Sequence, residues 1–333
     1  MEKRRLGSRG PEVSALGLGL MGMSDFYGPA EETESLATIF AALEAGIDLL
    51  DTGDFYGSGR NELLLAKALA SGVDREAVKV SVKFGVLRDP AGGFVGVDVS
   101  PRAVKNSLAQ TLVRLGTDYV DVYRPARVTP EVPIEETVGT IAELIEAGYV
   151  HQVGLSEVGV ETLRRAHAVH PVCDLQIEYS LISRGIEAEI LPACRELGVG
   201  VTAYGVLSRG LLSGHWSGDR PLTPADFRAH APRFAAENLE RNLALVGALQ
   251  EVAEGLGATV AQVAIAWVLS RGKDILPLVG ARRRERLEEA LRATELALGP
   301  EQLSQIEAAV PADAAAGERY DERQMAMLDS ERG

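Results

Sequence analysis

The chain has 333 residues, 46% of them hydrophobic, and a mean hydropathy of +0.03, the balance of an ordinary globular protein with a large core. Its formal net charge of -14 argues against nucleic acid and anionic membranes as partners, and no run of ~18 apolar residues is present to span a bilayer. Cys173 and Cys194 form neither a C-x-x-C pair nor a disulfide framework, and the N-terminal Met1-Glu2-Lys3-Arg4-Arg5 leads into no apolar core of signal-peptide length, so a reducing cytoplasm is expected. His167 and His170 share a helix face without acidic or cysteine ligands beside them, and no metal site is expected.

Residues 4–14 read as a small hairpin, with turn chemistry at Gly7-Ser8-Arg9-Gly10. Short apolar runs then predict eight strands, at 15–18, 47–50, 78–82, 119–123, 150–155, 175–178, 200–203 and 276–279. Helices are predicted between them, at 32–44, 61–70, 101–115, 134–147, 160–169, 188–197, 239–256 with 260–270, and 284–294. Ser100-Pro101 supplies a cap and a first-turn proline, and Gly116 and Gly198 stand where helix-ending glycines belong. Eight βα repeats imply an α/β protein of the (β/α)8 TIM-barrel class, its N-terminal end covered by the hairpin. An extra helix is predicted at 302–310. The barrel unit then spans residues 1–311, and a polar tail, 312–333, is either flexible or folded over the barrel mouth. The connection from Tyr204 to Leu239, roughly 30 residues without a steady period, is expected to be functional.

Polar groups follow two of the strands at once. Asp51-Thr52-Gly53-Asp54-Phe55-Tyr56-Gly57 succeeds one apolar run, and Lys83 closes Val80-Ser81-Val82-Lys83-Phe84-Gly85. Side chains beyond strand ends sit where barrel chemistry is built. A tyrosine near an ammonium is a candidate proton donor, because the cation favours the phenolate and lowers its pKa, and an aspartate can hold the lysine. The same residues also fit a core tyrosine and a paired surface lysine.

Seven segments in order carry a resemblance to the aldo-keto reductases over nearly the whole chain. They are Leu16 to Ser24 (LGLGLMGMS), Asp51 to Gly57, Val82 to Gly85, Gly154-Leu155-Ser156, Gln176 to Ser180 (QIEYS), Ala203 to Gly210 (AYGVLSRG), and Leu276 to Arg282 (LPLVGAR). The resemblance implies NADP(H)-dependent reduction of a small aldehyde or ketone. It places the family's catalytic Asp, Tyr and Lys on Asp51, Tyr56 and Lys83, with Tyr56 as the general acid held in a low-pKa state by Lys83. It assigns cofactor contacts to Gly22, Met23, Ser156, Gln176, Tyr204, Leu207, Arg209, Gly210, Gly280, Arg282, Arg286 and Glu289. The arginines would face the adenosine 2′-phosphate. No Gly-x-Gly-x-x-Gly fingerprint is present, so a Rossmann domain is not indicated.

Departures from the family pattern are as telling. The fourth catalytic residue, a histidine past the fourth strand, is Ala126 here. Glu157, Gly205 and Ala290 replace a common Asn, a possible hydroxyl and another common Asn. Arg124 shares the strand parity of Ala126 and is a candidate substitute donor facing the substrate, with His215 a weaker one. Met21, Phe26, Tyr27, Trp216 and Phe227 are expected to line the substrate pocket. Two functions follow: an NADPH-dependent carbonyl reductase, or a catalytically weak NADP(H)-binding sensor of the same fold. Oligomeric state is left open.

Overall fold

A computed structural model describes residues 1–217, 222–224 and 226–332. Lys3–Arg5 (β1) and Glu12–Ser14 (β2) form the expected antiparallel hairpin. Next come Gly17–Gly19 (β3), Glu32–Glu44 (α1), Leu49–Gly53 (β4), Arg60–Ala70 (α2) and Lys79–Phe84 (β5). A second hairpin, Val86–Arg88 (β6) and Phe94–Val97 (β7), precedes Pro101–Leu115 (α3). The alternation continues through Val120–Pro125 (β8), Ile134–Glu146 (α4), Val150–Ser156 (β9), Val160–Val169 (α5), Val172–Glu178 (β10), Ile190–Leu197 (α6) and Gly200–Tyr204 (β11). Ala236–Gly255 (α7), Val260–Ser270 (α8), Ile275–Gly280 (β12), Arg284–Arg292 (α9), Pro300–Ala309 (α10) and Glu322–Met325 (α11) complete the chain.

β3, β4, β5, β8, β9, β10, β11 and β12 close a parallel barrel in sequence order, as eight βα units should. The pattern of β5 shows why. Val80, Val82 and Phe84 are buried in the large apolar cluster shared with Val104 and Leu108 of α3, whereas Ser81 and Lys83 bond across the barrel interior. Phe84 stacks on Tyr123 of β8, centroids 4.2 Å apart, on the helix side. Helix α3 starts and stops on the expected signals. The Ser100 hydroxyl accepts from the Ala103 amide, Pro101 follows, and Gly116 ends the helix at φ 65. The first hairpin plugs the N-terminal end, where Leu6 and Val13 pack on Leu49, Val122, Cys173 and Leu276.

Boundaries moved by a few residues. The first barrel strand begins at Gly17 rather than residue 15, because the Ala15 amide bonds the carbonyl of Glu2 instead of a neighbouring strand. The β6–β7 hairpin was not legible, since its strands leave Leu87, Phe94 and Val95 exposed and so lack a buried face. The tail takes the second of its two expected courses. It crosses the C-terminal mouth, the Ser330 amide bonding the Glu157 carbonyl at 3.2 Å and the Gly159 amide the Asp329 carboxylate at 2.9 Å. No single helix among the described residues is long and apolar enough to cross a membrane.

Candidate active site

The barrel interior is polar and layered. In the lower layer, Arg124 donates to Asp174 at 2.9 Å and to the Ser81 hydroxyl at 3.0 Å, and Thr202 donates to Asp174 at 2.6 Å. One layer higher, the Lys83 ammonium donates to Asp51 and, at 2.7 Å, to Gln176 Oε1. Gln176 Nε2 donates to Asp51 Oδ2 at 2.8 Å, and the Ser81 hydroxyl to the same oxygen at 2.9 Å. Asp51 is thus satisfied from three sides, as a buried carboxylate must be.

Tyr56 lies above this layer, 5% exposed, with the Lys83 ammonium 5.4 Å from its ring centroid. The turn that carries it needs left-handed backbone at Gly57 (φ 55), where a Cβ would meet the Ser24 carbonyl at 2.9 Å. Burial, with Asp51 adding to it, raises the Tyr56 pKa well above that of a free phenol. The expected low-pKa state is therefore not what the pocket produces; the tyrosine keeps its proton. Burial lowers the Lys83 pKa, and the Asp51 carboxylate opposes that shift.

These residues form the floor of a cleft of about 1140 Å³ that runs across the barrel mouth. Asp51, Tyr56, Lys83, Gly22, Ser156, Gln176, Tyr204, Leu207, Arg209, Gly210, Gly280, Arg282, Arg286 and Glu289 all line it, as do Met21, Phe26, Tyr27, Ala126 and Phe227. At its far end Arg286 meets Glu289 at 3.1 Å and His215 at 2.5 Å, while Arg282 donates to the carbonyl of Tyr27 at 2.8 Å. Ser208, Arg209 and Gly210 all have positive φ, folding the rim after β11 into a tight turn. Gly205, at φ 67, admits no side chain cheaply: its Cβ would stand 3.1 Å from Glu178.

Four expected placements fail. Arg124 is 1% exposed and lies beneath the cleft floor. Its parity with Ala126 holds, but two residues along a strand place it about 6.6 Å deeper, where Asp174 claims it. Met23 is buried in the core, and Met21 takes its place in the cleft. Trp216 packs on Phe234, centroids 4.8 Å apart, outside the cleft lining. His215 sits at the arginine end, far along the cleft from Tyr56.

Two features beside the cleft escaped the sequence reading: the partner that Glu157 takes from the tail, and Arg127. Glu157, fully buried at φ 53, receives a bidentate pair from Arg319 of the tail at 2.9 and 2.5 Å. It also accepts from the hydroxyls of Tyr204 at 2.7 Å and Ser330 at 2.8 Å. Burial pushes the Glu157 carboxyl up, but Arg319 outweighs it and holds the pKa at about 2. The Tyr320 hydroxyl meets that of Tyr204 at 2.9 Å, so the tail forms one wall of the cleft. The second neighbour is Arg127, which enters the cleft directly after Ala126. Neither carried a local signal: Arg319 and Glu157 are 162 residues apart.

A closed eight-stranded parallel barrel with a polar cluster at its C-terminal mouth defines a barrel enzyme scaffold. The family profile described as "Aldo/keto reductase family" matches residues 15–311. A protein named probable aldo-keto reductase 1, from Glycine max, is 41% identical over 319 residues, covering 95% of this chain and 91% of its own. Among solved structures, a glycerol dehydrogenase from Gluconobacter oxydans superposes with a TM-score of 0.84 at 27% identity, covering 93% of this chain and 96% of that one. A thermostable aldo-keto reductase solved with the inhibitor epalrestat gives 0.73 at 28% identity, covering 93% and 100%. The chain belongs to the aldo-keto reductase family, a family of oxidoreductases that act on small carbonyl compounds and generally bind NADP(H).

The chemistry of the cleft suits such a dinucleotide. One end holds the buried Tyr56 hydroxyl, and the other carries Arg282, Arg283 and Arg286 around the first turn of α9. Guanidinium groups at a helix N-terminus form a natural phosphate site.

Proposed function

We propose that this chain is an NADPH-dependent carbonyl reductase in which Tyr56 is the general acid. The observation that carries the reading is the buried Tyr56 above the Asp51–Lys83–Gln176 cluster, in a cleft leading to three arginines. Bound NADPH supplies hydride to the carbonyl carbon. The chain supplies the proton: the Tyr56 O–H bond breaks as a new O–H bond forms on the carbonyl oxygen, giving the alcohol and a phenolate that solvent reprotonates. Lys83 favours that transient phenolate, and Asp51 with Gln176 fixes the ammonium. Ser156 and Gln176 would hold the carboxamide of the nicotinamide, and Tyr204, its hydroxyl anchored on Glu157, would present its ring to it. Leu207, Arg209 and Gly210 would bind the pyrophosphate. Arg282 and Arg286 would hold the 2′-phosphate, and Glu289 the adenine. Gly22 and Gly280 would leave room for the cofactor along the groove. The buried free thiols of Cys173 and Cys194 are in keeping with a cytoplasmic setting.

Following NADPH absorbance against a panel of aldehydes, ketones and quinones tests the reading. Turnover of at least one aldehyde or ketone is expected. Tight NADPH binding with no turnover across the panel contradicts it and favours a sensor.

A further inference from the structure

The substrate end of the cleft, around Tyr56, has apolar walls from Phe26, Phe55, Phe94 and Met327. Cationic side chains interrupt them. Arg127 is half-buried and lines this end. Its Nη1 donates to the Ala126 carbonyl at 2.6 Å, and its guanidinium carbon lies 6.0 Å from the Tyr320 ring centroid. The other arginines near this end have partners of their own. Arg88 pairs with Asp25 at 2.6 Å, Arg209 with Glu178 at 3.0 Å, and Arg228 with Asp226 at 2.6 Å. Arg323 stands over Phe94 on the exposed tail.

Among the described residues, no carboxylate forms an ion pair with Arg127. Glu157, the acid whose field it feels, is already held bidentate by Arg319. Burial penalises the Arg127 cation, but the field of Tyr320, Tyr204 and Glu157 outweighs that and raises its pKa, so the guanidinium stays charged with donors left to offer an anion. The cation also acts at the reacting centre: it pulls the Tyr56 pKa down against the larger effect of burial.

We propose that Arg127 is a specificity-determining residue that binds the carboxylate of an oxo acid whose carbonyl lies at Tyr56. The proposal rests on the reductase reading above. Only one of its donors is committed to Ala126, and a guanidinium has five, so a fork remains for two carboxylate oxygens. The apolar walls accept a hydrocarbon or aromatic body between the two polar ends of the substrate.

The probes are 3- and 4-carboxybenzaldehyde, each assayed beside its methyl ester with NADPH, on the parent, Arg127→Met and Arg127→Lys. The measured quantity is the ratio of kcat/KM for acid over ester. Both substrates are read on the same preparation, so a loss of folded protein cancels in the ratio. A charge-assisted pair of this kind predicts a ratio that falls by about 10- to 100-fold in Arg127→Met. Arg127→Lys, which keeps the charge but loses the fork, is expected to fall between the two. An unchanged ratio in Arg127→Met overturns the proposal alone, because ester turnover still upholds the reductase. Failure of the parent to turn over either acid overturns the proposal, and only if the wider panel of carbonyls also goes unreduced while NADPH binds does the reductase reading fall with it.

Discussion

Burial raises the pKa of Tyr56 and lowers that of Lys83, driving both toward their neutral forms in one pocket. For a proton donor the first shift is useful, because the phenol is loaded at neutral pH. The second is opposed by Asp51, which favours the Lys83 cation 5.4 Å from the Tyr56 ring centroid. Asp54, three residues past Asp51, shows the same physics without a catalytic use. Burial, reinforced by Glu62, raises its carboxyl pKa from 3.8 to about 7. Between those values the folded protein holds a proton that the unfolded chain has released, so stability falls as pH rises across that window. Asp54→Asn removes the penalty. Urea midpoints measured from pH 4 to pH 8 are therefore expected to show the variant gaining on the parent as pH rises, with little difference at the acid end.

At the scale of elements, strand alternation was legible and depth was not. The residues of β5 and β8 face the sides that their sequence pattern assigns, and Arg124 shares a face with Ala126. Which layer a side chain reaches depends on where each strand is cut by the barrel's closure, and Asp174, the residue that captures Arg124, lies 50 positions away. The tail was ambiguous for a related reason. Its charged anchor, Arg319, pairs with Glu157, just past β9, and with Glu178, the last residue of β10. Removing one member of a buried pair leaves an uncompensated charge, so Arg319→Ala should cost about 3–5 kcal/mol. Amide exchange should quicken across residues 319–332 before the barrel opens. Because the Glu157 pKa is held below its usual 4.5, the cost should be full above that pH and shrink as pH falls toward 2. Equal exchange rates in parent and variant would refute the latch.

Across the whole molecule, the barrel could be read from eight repeated units because each repeat carries its own apolar run and helix period. The Asp51, Tyr56 and Lys83 cluster could be read because each follows a short apolar run, although Asp51 and Lys83 lie within β4 and β5 rather than beyond their ends. Arg127 and Glu157 could not, since their significance comes from what the closed barrel and its tail bring beside them. Delivery by Tyr56 of the proton that completes carbonyl reduction is tested by hydride transfer from NADPH in Tyr56→Phe, measured in a single turnover beside an NADPH binding titration. Loss of a positioned general acid predicts a rate lower by about 100- to 10,000-fold with NADPH affinity close to the parent's. A Tyr56→Phe rate near that of the parent would contradict it.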